Sequence, residues 1–463
     1  MTMDEAGQAL RPAEAALIEN AVYELVTNGV STTVNASQLA VEYTTGDVLA
    51  EAMALARTGD LESLELELED IRINGRRFNI DYTITDESIR SYIAGYAQNI
   101  DTAPTPATFT VKQLEINPDT NANRAQDIGL PTLPEGMTEE QAIAQGMNRD
   151  LRDLRFDFVE AIDGYGVDQE ELFKLMNERM RTREYGKIDV PLAPIESDVT
   201  VATIKDSLVL RSSAYTSYAK GHYGRATRVH NMTKACGLMY ATVLQPGDQF
   251  SCNTILGDRT EKLGWQMAPA VIEGGAATED QAGGGVCQVS TTLYNAVLKS
   301  NLEITYRRAH SQKLSYVAGG LDATINTGTI DFTWKNNLTS PIYVFTWIDT
   351  ENKRINAEIY GEPFPDDYDE IKLESEELDP ILPTDPTYDV DVTLAAPYWR
   401  LKNDAQKGYV FETYQLFIKD GKTIDKRLIA KTTYNMHPAR YLVWMGWAGE
   451  ALTPEYKLEY IRE

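Results

Sequence analysis

A run of three glycines, Gly283 to Gly285, restricts the fold more than any other local feature, because it leads directly into a segment with helical character. Glycine lets the backbone turn sharply and approach a bound group closely. Cys287 falls in the first turn of the expected helix, where the positive end of the helix dipole favours the thiolate. His310 follows a strand-like segment over residues 303–307 and is a candidate general base.

Two interpretations of this pattern are open from the residues alone. In the first, Cys287 is the nucleophile of an acyl-transfer enzyme, and backbone N–H groups beside the glycines stabilise an oxyanion. In the second, Cys287 is a buried structural thiol on a glycine-rich turn, since free cysteine is among the most buried residue types. The accessibility of the sulfur and its proximity to the imidazole of His310 distinguish the two.

Length and charge limit the class of protein. The chain has 463 residues, which suggests about three domains, and a net charge of −27 from 43 basic and 70 acidic side chains. Such a charge would repel nucleic acid and anionic lipid, so no nucleic-acid partner is expected. No segment approaches 18 apolar residues, and the N-terminus lacks the regions of a signal peptide. We therefore expect a soluble chain that is either cytoplasmic or exported behind an N-terminal anchor that has been removed.

The cysteines and histidines have no spacing typical of a zinc site, so neither a metal nor another cofactor is expected. The three cysteines are Cys236, Cys252 and Cys287. In an oxidising compartment Cys236 and Cys252 could form a disulfide and leave Cys287 free, whereas all three would be thiols in a reducing one.

The distribution of prolines and of apolar periodicity predicts a multidomain α+β protein. Its N-terminal α+β region is expected in two parts, residues 1–103 and 104–198. A β-rich domain is expected over residues 199–362, followed by an acidic, proline-rich linker at 363–387. A small C-terminal β module completes the chain at 388–463.

Local patterns predict individual elements within these regions. Helices are expected where apolar residues recur at helical spacing, over residues 13–27, 47–57 and 168–183. Strands are expected over 64–69 and 78–84, and also over 156–162, because apolar residues alternate there or β-formers dominate. Residues 118–134 are expected to form a loop, and a C-terminal hairpin is expected over 409–418 and 423–434.

The region from about residue 210 to residue 350 resembles the VanW-like family, because short motifs occur in the order that the family has them. The most specific motif is the glycine and cysteine block at residues 283–295. The others include Arg228-Val229-His230-Asn231, residues 244–251, Gly257-Asp258-Arg259-Thr260, Arg308-Ala309-His310-Ser311, residues 316–320, 322–324 and 331–332. Residues 41–194 are similar to the peptidoglycan-binding domain that often precedes such domains, and the C-terminal hairpin is weakly similar to a G5-type β module.

The resemblance implies a cell-wall L,D-transpeptidase that forms 3-3 crosslinks between peptidoglycan stem peptides and is located outside the cytoplasm. Cys287 would form the acyl-enzyme, and His310 would transfer protons, with Asp322, Ser311 or a backbone carbonyl orienting the imidazole. Arg259 would hold a substrate carboxylate. The other residues expected at the substrate belong to the glycine run and the following helix: Gly284, Gly285, Val286, Gln288, Ser290 and Tyr294. For Tyr294 the helical spacing also favours a position in the core.

Two alternative functions use the same residues differently. The thiol could transfer the acyl group to water, which would make the protein an L,D-carboxypeptidase or endopeptidase acting on stem peptides. Alternatively the glycines could shape a groove in a non-catalytic wall-binding module in which Cys287 is inert.

Overall fold

A computed structural model describes residues 2–113, 150–272 and 277–458. Within these residues the α-helices are α1 Met3–Ile18, α2 Thr45–Ala54, α3 Leu61–Asn74, α4 Asp86–Ile100, α5 Gln169–Thr182, α6 Val201–Ser207, α7 Ala226–Met239, α8 Cys252–Leu256 and α9 Val286–Lys299. None of these helices has the length and apolar character required to cross a bilayer.

The β-strands of the described residues form several small sheets. They are β1 Val22–Thr27, β2 Val30–Asn35, β3 Val41–Tyr43, β4 Tyr82–Ile84, β5 Thr108–Val111, β6 Phe156–Val159, β7 Gly164–Val167, β8 Gly186–Asp189, β9 Leu192–Ile195, β10 Val209–Ser217, β11 Thr242–Leu244, β12 Gln249–Ser251, β13 Met267–Ile272, β14 Ala277–Ala282, β15 Glu303–Tyr306, β16 Thr333–Lys335, β17 Ile342–Asp349, β18 Arg354–Gly361, β19 Glu370–Glu377, β20 Thr387–Val390, β21 Trp399–Asn403, β22 Tyr409–Lys419, β23 Lys422–Tyr434, β24 Arg440–Val443 and β25 Lys457–Leu458. The mixed α+β class expected from the sequence is confirmed.

The chain divides into two compact units, of which the first comprises Met1–Ala107 and Glu160–Thr200. Its central strand β1 pairs antiparallel with β2 and parallel with β8. The β1–β2 hairpin turns at Asn28-Gly29, where both residues have positive φ, as a two-residue type I′ turn requires. One face of β1 buries its side chains against apolar residues of helices α4 and α5.

The second unit comprises Thr108–Val159 and Val201–Glu463, and it contains the glycine and cysteine block. Its main antiparallel sheet has the order β10-β18-β17-β11. Helix α9 packs on β10 and β18, and α7 packs on β17, so both helices cover this sheet. The segment that carries Cys287 is therefore fixed to the largest hydrophobic core that the described residues form.

Smaller sheets complete the second unit. Strands β12, β16 and β15 form one sheet, and β13 pairs with β14 in a hairpin that ends at the glycine run. Towards the C-terminus, β19 pairs with β22, and β22 pairs with β23 in the hairpin expected from the sequence. A last sheet has the order β20-β24-β21-β25.

Several predicted elements differ from the observed ones. The helix expected over residues 13–27 ends at Ile18, and the β-branched residues after it form strand β1. Residues 64–69, expected as a strand, lie in helix α3, which begins after the N-cap Asp60. Leucine and glutamate are strong helix formers. No residue of α3 is buried, so the alternation of leucine and glutamate does not come from a strand with one face packed on a core. Strand β4 begins only at Tyr82, and its partner is β3.

The region expected as a linker, residues 363–387, contains strand β19, whose eight residues pair with β22 along their whole length. The acidic side chains of β19 lie close to lysines of the same sheet. For example, Lys426 of β23 forms an ion pair with Glu374 of β19. Helix α5 agrees with its prediction, with the Asp168 carboxylate accepting from the Glu171 N–H at its N-terminus. The loop expected over residues 118–134 lies outside the described residues.

Candidate active site

The glycine run opens onto a cavity of about 510 Å³. Its walls come from the end of β14, the start of α9 and the segment after β15. Cys287 and His310 both line it, together with Arg228, Arg259 and Tyr316. The structure therefore brings the two principal residues of the sequence prediction together in one concave, solvent-connected site.

Two of the glycines occupy positions that no other residue could fill without movement of the backbone. A Cβ on Gly284 would lie 2.1 Å from the carbonyl oxygen of Ala268. Gly285 has φ of +111°, and a Cβ there would lie 2.9 Å from Cγ of Arg228. The Asn231 side-chain amide, on helix α7, donates to the Gly284 carbonyl at 3.1 Å and so holds the turn against that helix. The run is thus a rigid entrance to helix α9.

Cys287 is the second residue of helix α9, and its side chain is only partly buried. The thiol donates to the carbonyl oxygen of Ile325 at 3.3 Å. Burial alone would raise the pKa of this thiol, but its interaction with His310 and the positive charge of Arg228 lower the pKa below the ordinary value for cysteine. The other two thiols, Cys236 and Cys252, are free and fully buried, and burial raises their pKa.

Backbone donors are present beside the sulfur. The N–H groups of the first helical turn have no partners within a helix. The Val286 N–H donates to Gly283 and the Gln288 N–H to Gly285, at 3.2 and 2.9 Å. Within the described segments the Cys287 N–H meets no acceptor, so it is the donor of this turn that an oxyanion could use.

His310 is held by Asp322 through two hydrogen bonds. The backbone N–H of His310 donates to Oδ2 of Asp322 at 2.6 Å, and Nδ1 of the ring lies 2.6 Å from the same oxygen. Burial alone would lower the pKa of the imidazole, but the bond to Asp322 and the interaction with Cys287 raise it to about 9. Because Nδ1 faces the carboxylate, Nε2 is the nitrogen left to serve the thiol. The arrangement is that of a Cys-His-Asp triad.

Asp322 is completely buried, and four donors surround its carboxylate. Besides the two from His310, Arg307 Nη2 donates to Oδ1 at 3.2 Å and the Tyr434 hydroxyl donates to Oδ1 at 2.6 Å. Burial alone would raise the pKa of Asp322, but the bond to His310 and the charges of His310 and Arg307 lower it. A carboxylate in this state favours the imidazolium form of His310.

The other residues predicted at the site divide into two groups. Arg259, Gly284, Gly285 and Val286 line the cavity. Arg259 donates to Oδ1 of Asn253 at 2.8 Å, while its buried Nη2 has no partner among the described residues. Ser311 also lines the cavity, and its carbonyl accepts from the Asn435 N–H at 2.7 Å. Asp322, not Ser311, orients the imidazole.

Gln288, Ser290 and Tyr294 lie behind the cavity, which corrects the expectation that they contact substrate. Gln288 accepts from Arg228 Nη2 at 3.3 Å, and the Ser290 hydroxyl donates to the Ala323 carbonyl at 2.7 Å. Tyr294 packs edge-on against the ring of Phe332, in the core. All three sit on the buried side of α9, whereas Cys287 faces the opening. Their role in the structure is to hold Arg228 and the segment next to Asp322.

Sequence reasoning assigned no role to Arg228, Asn231, Arg307 or Tyr434, although all four contact the glycine turn or the triad. Arg228 and Asn231 belong to the motif Arg228-Val229-His230-Asn231, so the resemblance to the family could have indicated both residues. For Tyr434 no local signal exists, because its partner Asp322 is 112 positions away in the sequence. No three His, Cys, Asp or Glu side chains of the described residues cluster in a way that could hold a metal ion.

Solved structures that resemble part of the chain include G5 domains. The chain is similar to the "Crystal structure of HP0197-G5", with 19% identity and a TM-score of 0.10 over 16% of this chain and 96% of that one. It is also similar to the "IgA1 Protease G5 domain structure", with 14% identity and a TM-score of 0.13 over 16% of this chain and 89% of that one. At these TM-scores the likeness carries no argument about fold, so the G5-like character of the C-terminal region stays a prediction.

Comparison of sequences is more informative. The family described as "VanW like protein" matches residues 227–360, which contain Arg228, Cys287, His310 and Asp322. The chain is 32% identical over 158 residues to "Uncharacterized protein YoaR" of Bacillus subtilis, covering 34% of this chain and 51% of that protein. It is 25% identical over 143 residues to "Vancomycin B-type resistance protein VanW" of Enterococcus faecalis, covering 30% of this chain and 50% of that protein. The chain thus spans about half the length of these curated relatives. Residues 227–360 of this chain therefore match the VanW-like family.

Proposed function

We propose that this protein is a cysteine acyltransferase of the L,D-transpeptidase type that crosslinks peptidoglycan stem peptides outside the cytoplasm. The observation that carries the proposal is the partly exposed Cys287, whose pKa is lowered by His310, an imidazole held in turn by the buried carboxylate of Asp322. A buried, inert thiol would have a raised pKa, as Cys236 has.

The first half-reaction forms an acyl-enzyme. The Cys287 thiolate attacks the carbonyl carbon of the third stem-peptide residue, and the Cys287 N–H stabilises the oxyanion. The bond between that carbonyl and the nitrogen of the terminal D-residue then breaks, and the departing amine takes a proton from the His310 imidazolium. Asp322 keeps the ring in place during this transfer. Each such proton transfer contributes roughly 10²–10⁴-fold to the rate.

The second half-reaction forms the crosslink. The side-chain amine of a neighbouring stem attacks the thioester carbonyl, and its proton passes to Nε2 of His310. The carbon–sulfur bond breaks, and the thiolate–imidazolium pair is restored. Attack by water instead of the amine would give a hydrolysed stem, the outcome of the carboxypeptidase alternative.

The charge of the cavity supports a substrate that carries carboxylates. The chain as a whole has a net charge of −27, yet Arg228, Arg259 and Arg308 all line this cavity. The Nη2 of Arg259 is a buried donor with no partner in the described part of the chain, and a substrate carboxylate would satisfy it. Stem peptides carry such groups at the terminal D-residue.

Incubation with a synthetic stem tetrapeptide, followed by mass spectrometry of the products, tests the proposal. We expect a peptide dimer with one terminal D-residue released for each crosslink. Hydrolysed tripeptide without dimer would replace the transferase with a peptidase. Unchanged tetrapeptide, with binding measurable by calorimetry, would favour a wall-binding module instead.

A further inference from the structure

The C-terminal hairpin β22–β23 packs directly on the turn that precedes Asp322. A Cβ on Gly319 would lie 2.3 Å from the ring of Phe411, and one on Gly320 would lie 2.6 Å from Cγ2 of Thr413. The Ser375 hydroxyl of β19 donates to the Gly319 carbonyl at 2.6 Å. The position of this turn therefore depends on a sheet that lies outside the family match at residues 227–360.

The Tyr434 hydroxyl at the end of β23 connects the hairpin to the triad. It accepts a hydrogen bond from the Gly320 N–H at 2.7 Å, so its own hydrogen is directed to Oδ1 of Asp322, 2.6 Å away. The side chain is 1% exposed, which leaves water little access to replace either bond. Tyr434 thus fixes the carboxylate from the side opposite to His310.

Arg307 reaches the same carboxylate and is itself held by β23. Its Nη2 donates to Oδ1 of Asp322 at 3.2 Å, and its Nη1 donates to the Thr432 hydroxyl at 3.1 Å. Tyr434 of β23 therefore contacts Oδ1 directly, and Thr432 of the same strand holds the arginine that contacts it. The other oxygen, Oδ2, is bound by His310.

We propose that Tyr434 is a positioning residue of the active site, which holds the Asp322 carboxylate in line with His310 and so maintains the thiolate of Cys287. The inference rests on the proposed acyl-transfer function, because it takes Cys287 as the group that the imidazole serves. It makes strand β23 a part of the catalytic unit.

Other charged and titratable groups also face the triad and contribute to its behaviour with pH. Cys287 is influenced by His310, Arg228, Arg259, Tyr316 and Cys252. Asp322 is influenced by His310, Arg307, Tyr294, Tyr316 and Tyr434. A substitution of Tyr434 leaves all of these others in place, so a change in the pH profile reports on the hydroxyl that is removed.

The test compares Tyr434→Phe with Tyr414→Phe in the full chain. Tyr414 lies on the same hairpin and donates to a carboxylate, Oε2 of Glu412, at 2.8 Å, but away from the cavity. The rate of Cys287 alkylation by iodoacetamide is measured from pH 5 to pH 10. We expect Tyr434→Phe to lower the rate at pH 7 about tenfold and to move the midpoint to higher pH, because the carboxylate of Asp322 loses the bond that holds it against Nδ1 of His310, and the imidazolium that supports the thiolate is then less favoured. Tyr414→Phe is expected to keep the wild-type profile.

A Tyr434→Phe profile that superimposes on the wild-type profile would overturn the inference. If Tyr434→Phe does not fold, Thr432→Val decides, since it removes the acceptor of Arg307 at nearly constant volume and must shift the profile in the same direction. Alkylation does not require the stem peptide. Suppose that Tyr434→Phe shifts the alkylation profile but the wild-type protein does not process stem peptides. The positioning role of Tyr434 would then stand, and only the proposed transpeptidase function would be rejected.

Discussion

Cys287 and His310 shift each other's pKa in opposite directions. The pKa of the thiol is lowered, and that of the imidazole is raised to about 9. Where the thiol has lost its proton and the imidazole still holds one, below about pH 9, the thiolate and the imidazolium coexist, and this is the form that acylation requires. Acyl transfer should therefore decline in acid as the thiolate is protonated, and again above about pH 9 as the proton donor is lost.

His310→Gln should slow alkylation of Cys287 at neutral pH. Without the imidazolium, burial would raise the pKa of the thiol, so the thiolate fraction at pH 7 should fall by at least about tenfold. The measurement is the second-order rate constant with iodoacetamide as a function of pH. His230→Gln is a suitable control, because His230 contacts the Gly264 carbonyl and does not line the cavity. Equal rates for wild type and His310→Gln would contradict the ion pair.

The same substitution should affect stability in a pH-dependent way. The pKa of His310 is raised above that of an unfolded histidine, about 6.5, so its stabilising effect is fully present below that pH and is lost as pH rises through about 9. We expect the difference in unfolding free energy between wild type and His310→Gln to be largest near pH 6 and to shrink towards pH 10. Urea unfolding at several pH values measures it. If the difference in unfolding free energy instead grew with pH, it would contradict the raised pKa of His310.

At the scale of secondary structure, the entrance to helix α9 is the element most sensitive to change. Its geometry depends on glycines for steric reasons, and Gly284 in particular faces the Ala268 carbonyl. The sequence predicted this turn and the helix after it, because glycine and the helical pattern are local signals. The strand expected at residues 64–69 was wrong, because alternating leucine and glutamate are equally compatible with an exposed helix.

Gly284→Ala should destabilise the second unit and slow alkylation of Cys287. The added Cβ would lie 2.1 Å from a backbone oxygen, so the turn must move, at a typical cost of about 1–3 kcal/mol. Thermal unfolding and the alkylation rate at pH 7 check both effects. Gly95→Ala in helix α4 is the matched control, since its Cβ would meet nothing within 4 Å. A Gly284→Ala protein with wild-type stability would show that the turn is not rigid.

At the scale of the molecule, the triad depends on residues that are far apart in sequence. Cys287 and His310 could be selected as candidates from the sequence, because a glycine run, a helix start and a histidine form a local pattern with chemical meaning. Asp322 was one of three candidates, beside Ser311 and a backbone carbonyl, and only the fold places its carboxylate against the imidazole. Tyr434 could not be predicted, because the contact arises from packing of the C-terminal hairpin on the Gly319 turn.

Removal of the C-terminal region should therefore impair the site. A chain ending at residue 362 lacks Thr432 and Tyr434 and exposes the Gly319 turn. We expect it to unfold at lower temperature and to lose rapid alkylation of Cys287 at pH 7. A chain ending at residue 438 retains β22 and β23 and should keep the reactive thiol. Wild-type reactivity in the shorter chain would show that the VanW-like domain forms its site alone.

The most direct test of the account is the detection of a covalent intermediate on Cys287. The full chain is mixed with a stem tetrapeptide, quenched with acid, and digested for peptide mass mapping. We predict a mass increase, on the fragment that contains Cys287, equal to the mass of the tetrapeptide minus the mass of the free D-amino acid that is released. Cys287→Ala should carry no adduct, although its stability should change by no more than about 1–2 kcal/mol, as for a partly exposed thiol. An unmodified Cys287 in a protein that still consumes the tetrapeptide, or an adduct on another residue, would contradict the account.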